Sequence, residues 1–168
     1  MLNNQTTVGG VFHVQCLDAE GNVKWAEEFP NLVVNTGLQD MNTQYFKGIT
    51  YTATWYMGLV NTGATYAAGN TMASHSGWTE NTGYSQSARP TMSFGVATTA
   101  DPSVITSTAT VFTSNATSTI AGAFLSTNNT KGGTTGTLFS VGNFTVGDRA
   151  IVSGDTLNVT YAFSADAA

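Results

Sequence analysis

Between Thr71 and Gly95 the chain reads TMASHSGWTENTGYSQSARPTMSFG, which gathers His75, Trp78, Glu80, Tyr84 and Arg89 into one short stretch. These are residue types that do chemistry. An imidazole beside Ser74 and Ser76 raises acyl transfer, which needs a base held against a nucleophile and a third group that orients the base. Adjacent residues of a loop rarely reach that geometry. The second histidine, His13, belongs to the alternating run VFHVQC and reads as a structural or exposed strand residue. Metal chemistry fares no better, because two histidines and the lone Cys16 offer neither HxH nor CxxC spacing. The acids stand apart from one another, so neither a calcium loop nor a glycosidase carboxylate pair is signalled. Asp148 and Asp155 are close in sequence, but GDR and SGD read first as turns. The expectation is a protein that is not an enzyme and carries no cofactor or metal.

Two uses remain for the five side chains. Arg89 can fork two hydrogen bonds to a carboxylate or to loop carbonyls, and Glu80 is its nearest acid. Trp78 can pin a loop with its ring buried and its N–H at the edge. On this reading the stretch is a clasp. On the other reading His75, Trp78, Glu80, Tyr84 and Arg89 form a partner-binding patch, since Trp, Tyr and Arg dominate interface hot spots.

The elements that must position them are strands. Charged residues make up 9% of the 168-residue chain and apolar residues 41%, with Thr, Ser, Asn and Gly filling the difference. The apolar residues fall in short alternating runs, unlike those of a disordered chain, and no run approaches the ~20 residues that span a bilayer. The start, MLNNQTTVGG, lacks the basic end and apolar run of a secretory signal. Cys16 has no partner for a disulfide, so synthesis in a reducing cytoplasm is expected. Net charge is −5, with three Lys and two Arg scattered along the chain, which argues against nucleic acid.

Residues 1–10 read as a flexible arm and 11–165 as one domain. Strands are expected at 11–16, 23–29, 54–60, 91–97, 109–113, 119–125, 137–141, 149–152 and 156–163. The turn DAEGN (18–22) joins the first pair, and Pro30 closes the second strand because it cannot donate to a ladder. Leu38, Met41, Tyr45 and Phe46 recur at helical spacing, which predicts one short helix over about 36–46. From 61 to 90 no period holds, so a long loop is expected there. Between residues 102 and 147 Lys131 is the only charged side chain, and NNTKGGTTG (128–136) reads as a hairpin tip. About eight strands with turn signals between them define an all-β, sandwich or jelly-roll-like domain.

NLVVNTGLQDM, WYMGLV, HSGWTE with YSQSARP, and the run from VFTSNATSTIAGAFL to TLNVTYAFS resemble virion proteins of tailed bacteriophages. The resemblance covers roughly residues 25–165 and is to the capsid decoration, or cement, group. It implies a small β-domain added to the outer surface of an icosahedral capsid, with the major capsid protein as its partner. No active-site residues come with it. The competing expectation is a tail-fibre or receptor-binding module that recognises host surface glycan. With so few charges to keep strand edges apart, self-association into a closed homotrimer is also expected, with neither nucleic acid nor membrane as a partner.

Overall fold

The structure, a computed structural model, describes residues 6–47 and 54–167. Strand β1 (Thr7–Leu17) turns at 18–22 into β2 (Val23–Pro30). Asp18 makes that turn, its Oδ1 accepting the backbone N–H groups of Glu20 at 3.0 Å and Asn22 at 2.7 Å. Short strand β3 (Leu32–Val33) leads into helix α1 (Asn35–Lys47), and β4 (Tyr56–Asn61) follows. The remaining strands are β5 (Glu80–Asn81), β6 (Ser103–Thr106), β7 (Thr110–Thr113), β8 (Ser118–Ser126), β9 (Leu138–Asn143), β10 (Arg149–Ile151) and β11 (Thr156–Asp166).

Two antiparallel sheets result. The first runs β2-β1-β11-β6, with β7 also on the edge of β11. The second runs β3-β9-β8-β4-β5, with β10 also on β8. Strand β1 pairs with β11 along its whole length, from Thr7 opposite Asp166 to Leu17 opposite Thr156. Residues 7–10 are therefore paired strand and not the flexible arm that their glycines suggest: Gly9 and Gly10 lie opposite Ser164 and Phe163. Residues 1–5 of that arm lie outside the described residues.

Alternation places Phe12, Val14 and Cys16 of β1 and Leu157, Val159 and Tyr161 of β11 on the inner face. There they meet Met57, Leu59, Ile120, Ala123, Leu125 and Phe139 of the second sheet. Phe29 of β2 stacks on Phe12 with ring centroids 5.1 Å apart. The second sheet is also covered on its outer face, where Val60, Ala121, Phe124, Leu138 and Val141 join Met72 and Trp78 of the 61–90 segment. A strand covered on both sides reads as a continuous apolar run, and TIAGAFL is one.

The helix matches its expected span to within a residue at each end. Gly37 brings it against β9, since a Cβ there would lie 2.4 Å from the carbonyl oxygen of Phe139. Thr36 adds a hydrogen bond from its hydroxyl to the carbonyl of Leu138 at 2.8 Å.

One expected strand is absent. Residues 91–97 make only single bridges, Thr91 with Tyr56 and Phe94 with Ser107. Their backbone groups are split between the sheets, with the N–H of Met92 on Trp55, just before β4 of the second, at 2.8 Å and that of Gly95 on Thr106 of the first at 2.9 Å. The segment crosses from one sheet to the other and ladders with neither. Three short strands that the sequence did not announce, β3, β5 and β6, raise the count among the described residues to eleven.

Candidate functional site

The 61–90 segment leaves β4 at Asn61 and turns at once. Gly63 adopts φ +71°, and Asp148 receives both the Thr62 hydroxyl and the Gly63 N–H, the latter at 2.9 Å. A tight turn then sets His75, whose Nδ1 lies 3.0 Å from the carbonyl oxygen of Thr71. Its ring rests on Trp78 at 4.1 Å between centroids, and Trp78 rests on Phe124 of β8 at 5.0 Å. The indole N–H of Trp78 donates to Asn70 at 3.3 Å. Trp78 is buried and His75 half-buried. Among the described residues no hydrogen bond joins His75 to the hydroxyl of Ser74 or Ser76, so a nucleophile–base pair is not assembled here.

The segment next adds β5 to the edge of β4, with Glu80 opposite Val60. The Glu80 carboxylate accepts Arg89 Nε at 3.0 Å and Nη2 at 2.8 Å, a two-pronged ion pair. It also accepts the hydroxyl of Tyr84 at 3.2 Å and the N–H of Gly132 at 2.6 Å. The other donors of Arg89 reach the carbonyl oxygens of Asn128 at 2.9 Å and Gly133 at 2.7 Å. Its guanidinium lies over the Phe124 ring at 5.1 Å. Room for that ring comes from Gly58, where a Cβ would lie 2.3 Å from it. The Arg89 side chain is fully buried and that of Glu80 is 5% exposed, so the pair sits in the interior with both carboxylate oxygens and four of the five guanidinium N–H groups engaged. Burial first, and then the Glu80 charge, push the Tyr84 phenol far above its ordinary value, so it remains a neutral donor.

The structure thus brings Trp78, Glu80, Tyr84 and Arg89 together under the surface and leaves His75 at its edge. Trp78, Tyr84 and Arg89 are buried there, and Glu80 is half-buried with its carboxylate turned inward. What sequence reasoning missed is the far half of the arrangement, the hairpin tip at 128–136. Lys131 reaches back to the carbonyl oxygens of Tyr84 at 2.8 Å and Gln86 at 2.7 Å, with its ammonium 4.3 Å from the centre of the Tyr84 ring. A solitary charge in an uncharged stretch was the available signal.

The other polar candidates are also occupied. His13 pairs with Glu28 at 2.9 Å on the outer face of the first sheet. Cys16 is buried, and its thiol faces Asp155 at 3.8 Å. Burial, then Asp155, push that thiol up to about 11, away from the thiolate that a nucleophile needs. Asp155 itself holds Lys24 at 2.5 Å and the N–H of Val152 at 2.8 Å.

A second feature lies apart from the loop. Where the sandwich opens beside α1, a cavity of about 990 Å³ is walled by Trp55, Phe94, Phe139, Tyr161 and Phe163, with Tyr45 and Phe46 of the helix at its lip. None of the five sequence candidates lines it. Comparisons with family models, curated proteins and solved structures give no match to this chain.

Proposed function

We propose that this chain is a structural virion protein that seats on the outer surface of an icosahedral phage capsid and stabilises it by bridging neighbouring major capsid subunits. One observation carries the reading. The exposed residues of the segment from Thr62 to Ser87 are all Thr, Ser, Ala or Gly, while its aromatic and charged side chains are turned inward or half-buried. That outer surface is tied down by the Glu80–Arg89 network and carries no charge. Docking it strips little charge solvation and freezes few side-chain rotamers, two of the main costs of association. In this segment the glycan-binding reading would call on aromatic rings for stacking, and Trp78 and Tyr84 are buried.

A bridge of this kind stabilises by mass action, because it binds the assembled lattice and not the separated subunits. Contacts to several subunits at once raise the effective concentration of each. With uncharged groups in contact, binding weakens little as salt rises. The test is to remove the protein from genome-filled particles by deletion or stripping, then measure the temperature or osmotic shock that bursts them. Bare particles should burst more readily, and added protein should restore them at hundreds of copies per particle. Equal robustness with no rebinding would refute the assignment, and a few copies at the tail would favour the fibre reading.

A further inference from the structure

Helix α1 is fastened to β9 near its start, by Thr36 and Gly37, and its second half hangs over the apolar cavity. The polarity of that half is reversed. Its large apolar side chains Tyr45 and Phe46 are 83% and 77% exposed, packed edge-to-face with centroids 5.0 Å apart. A monomer that kept this surface in water would carry an aromatic knob beside an aromatic-walled hole. Contiguous apolar surface of this kind marks an interaction site.

We propose that a second copy of the chain covers it, by reciprocal exchange in which the Tyr45–Phe46 knob of each copy enters the cavity of the other. Self-complementarity points to this occupant, since knob and hole lie on one face and a twofold pairing uses both twice. Charge permits it. Among the described residues Asp40 is the only charged one lining the cavity, so two copies of net charge −5 meet through nearly neutral faces. Area also fits. An aromatic side chain buries about 150–250 Å², so two that are about four-fifths exposed offer roughly 300 Å² per copy. A knob covers a comparable area of hole, so each copy loses roughly 600 Å² and the pair roughly 1,200 Å², at the lower end of specific interfaces. The association is therefore reversible, and because it is apolar it survives high salt.

The test uses the full chain in solution, with mass measured by light scattering across a micromolar concentration series at low and 1 M salt. A monomer–dimer equilibrium is expected at both. Phe46→Ser and Tyr45→Ser change exposed side chains, so they should leave the melting temperature in place and weaken the dimer at least tenfold. Ser93→Arg puts a long charged side chain at an exposed position lining the cavity and should do the same. Mixing Phe46→Ser with Ser93→Arg is the sharper arm. Each variant alone loses both knob–hole contacts, whereas the mixed pair keeps one, so the mixture should associate more tightly than either variant. A strict monomer, a trimer (the association expected from the sequence), a dimer indifferent to these substitutions, or no recovery on mixing would each overturn the proposal.

Discussion

Replacing Arg89 with alanine tests the central structural argument. The substitution removes the two-pronged pair with Glu80 and the donors to Asn128 and Gly133, all in the interior. Deleting one partner of a buried ion pair costs about 3–5 kcal/mol, because the other charge stays buried without compensation. Each orphaned carbonyl adds on the order of 1–3 kcal/mol, less what water recovers in the space left behind. These terms share one network and do not add, so about 4 kcal/mol is the working figure. For a chain of this size that lowers the melting temperature by roughly 8–16 °C. With a urea slope near ~2 kcal/mol/M, it moves the unfolding midpoint by about 2 M. Urea titration followed by circular dichroism measures it, with hydrogen exchange at Gly132 and Arg89 reporting whether the hairpin tip has come loose. Arg89→Lys keeps the charge but not the fork, and should recover only part of the loss. The double substitution Glu80→Gln with Arg89→Met removes both charges and should be less damaging than Arg89→Ala alone. If Arg89→Ala unfolds within about 0.5 kcal/mol of the wild type, the network is ornamental and the reasoning fails.

Two further outcomes follow from the same geometry. Trp78→Ala strips the cover from Phe124 and should cost about 3 kcal/mol, read from the same urea midpoints; an unchanged midpoint would mean that the ring contributes no net packing energy. Glu27 gives a pH test: burial alone would raise its carboxyl, but the N–H of Val146, the Arg149 guanidinium and Thr145 together hold it below its ordinary value of 4.5. Its stabilising contribution is thus complete above that value and is lost as pH falls through the lower, folded one, so the stability gap between wild type and Glu27→Gln should narrow between pH 5 and pH 3, as ~ordinary carboxyl titration dictates; a constant gap would rule this out.

Much of this architecture was written in alternation. In TLNVTYAF every second side chain is apolar, and the structure turns Leu157, Val159 and Tyr161 into the core with Phe163 packed against it. Alternation misled at 91–97 for a physical reason. Met92 is buried, Phe94 half-buried and Val96 95% exposed, so the pattern marks a chain leaving the core as it crosses between sheets. The helix was legible from spacing, but its orientation was not. Of Leu38, Met41, Tyr45 and Phe46, whose spacing gave the helix, Met41 packs against the core while the other three are exposed. The 61–90 segment showed no period because side-chain anchors from distant strands and loops hold much of its backbone, as Asp148 does at Gly63. No local pattern encodes such a partner.

The scarcity of charge acquires a different meaning once the contacts are known. Of the five basic residues, Lys24 holds Asp155, Arg149 holds Glu27, Arg89 holds Glu80, and Lys131 holds two backbone carbonyls. Three of them tie a loop or turn to another part of the fold, and Arg149 joins β10 to β2. In an average soluble domain, charge mainly decorates the surface, and a single exposed pair contributes little to stability. Here the basic residues act as struts that draw Asp155, Glu27 and Glu80 out of the solvated layer, and along the 62–87 segment only Thr, Ser, Ala and Gly are left exposed. A surface made this way meets a neighbour without long side chains to order or strong charges to desolvate. The same residues that secure the fold therefore help decide which side chains are left to face outward.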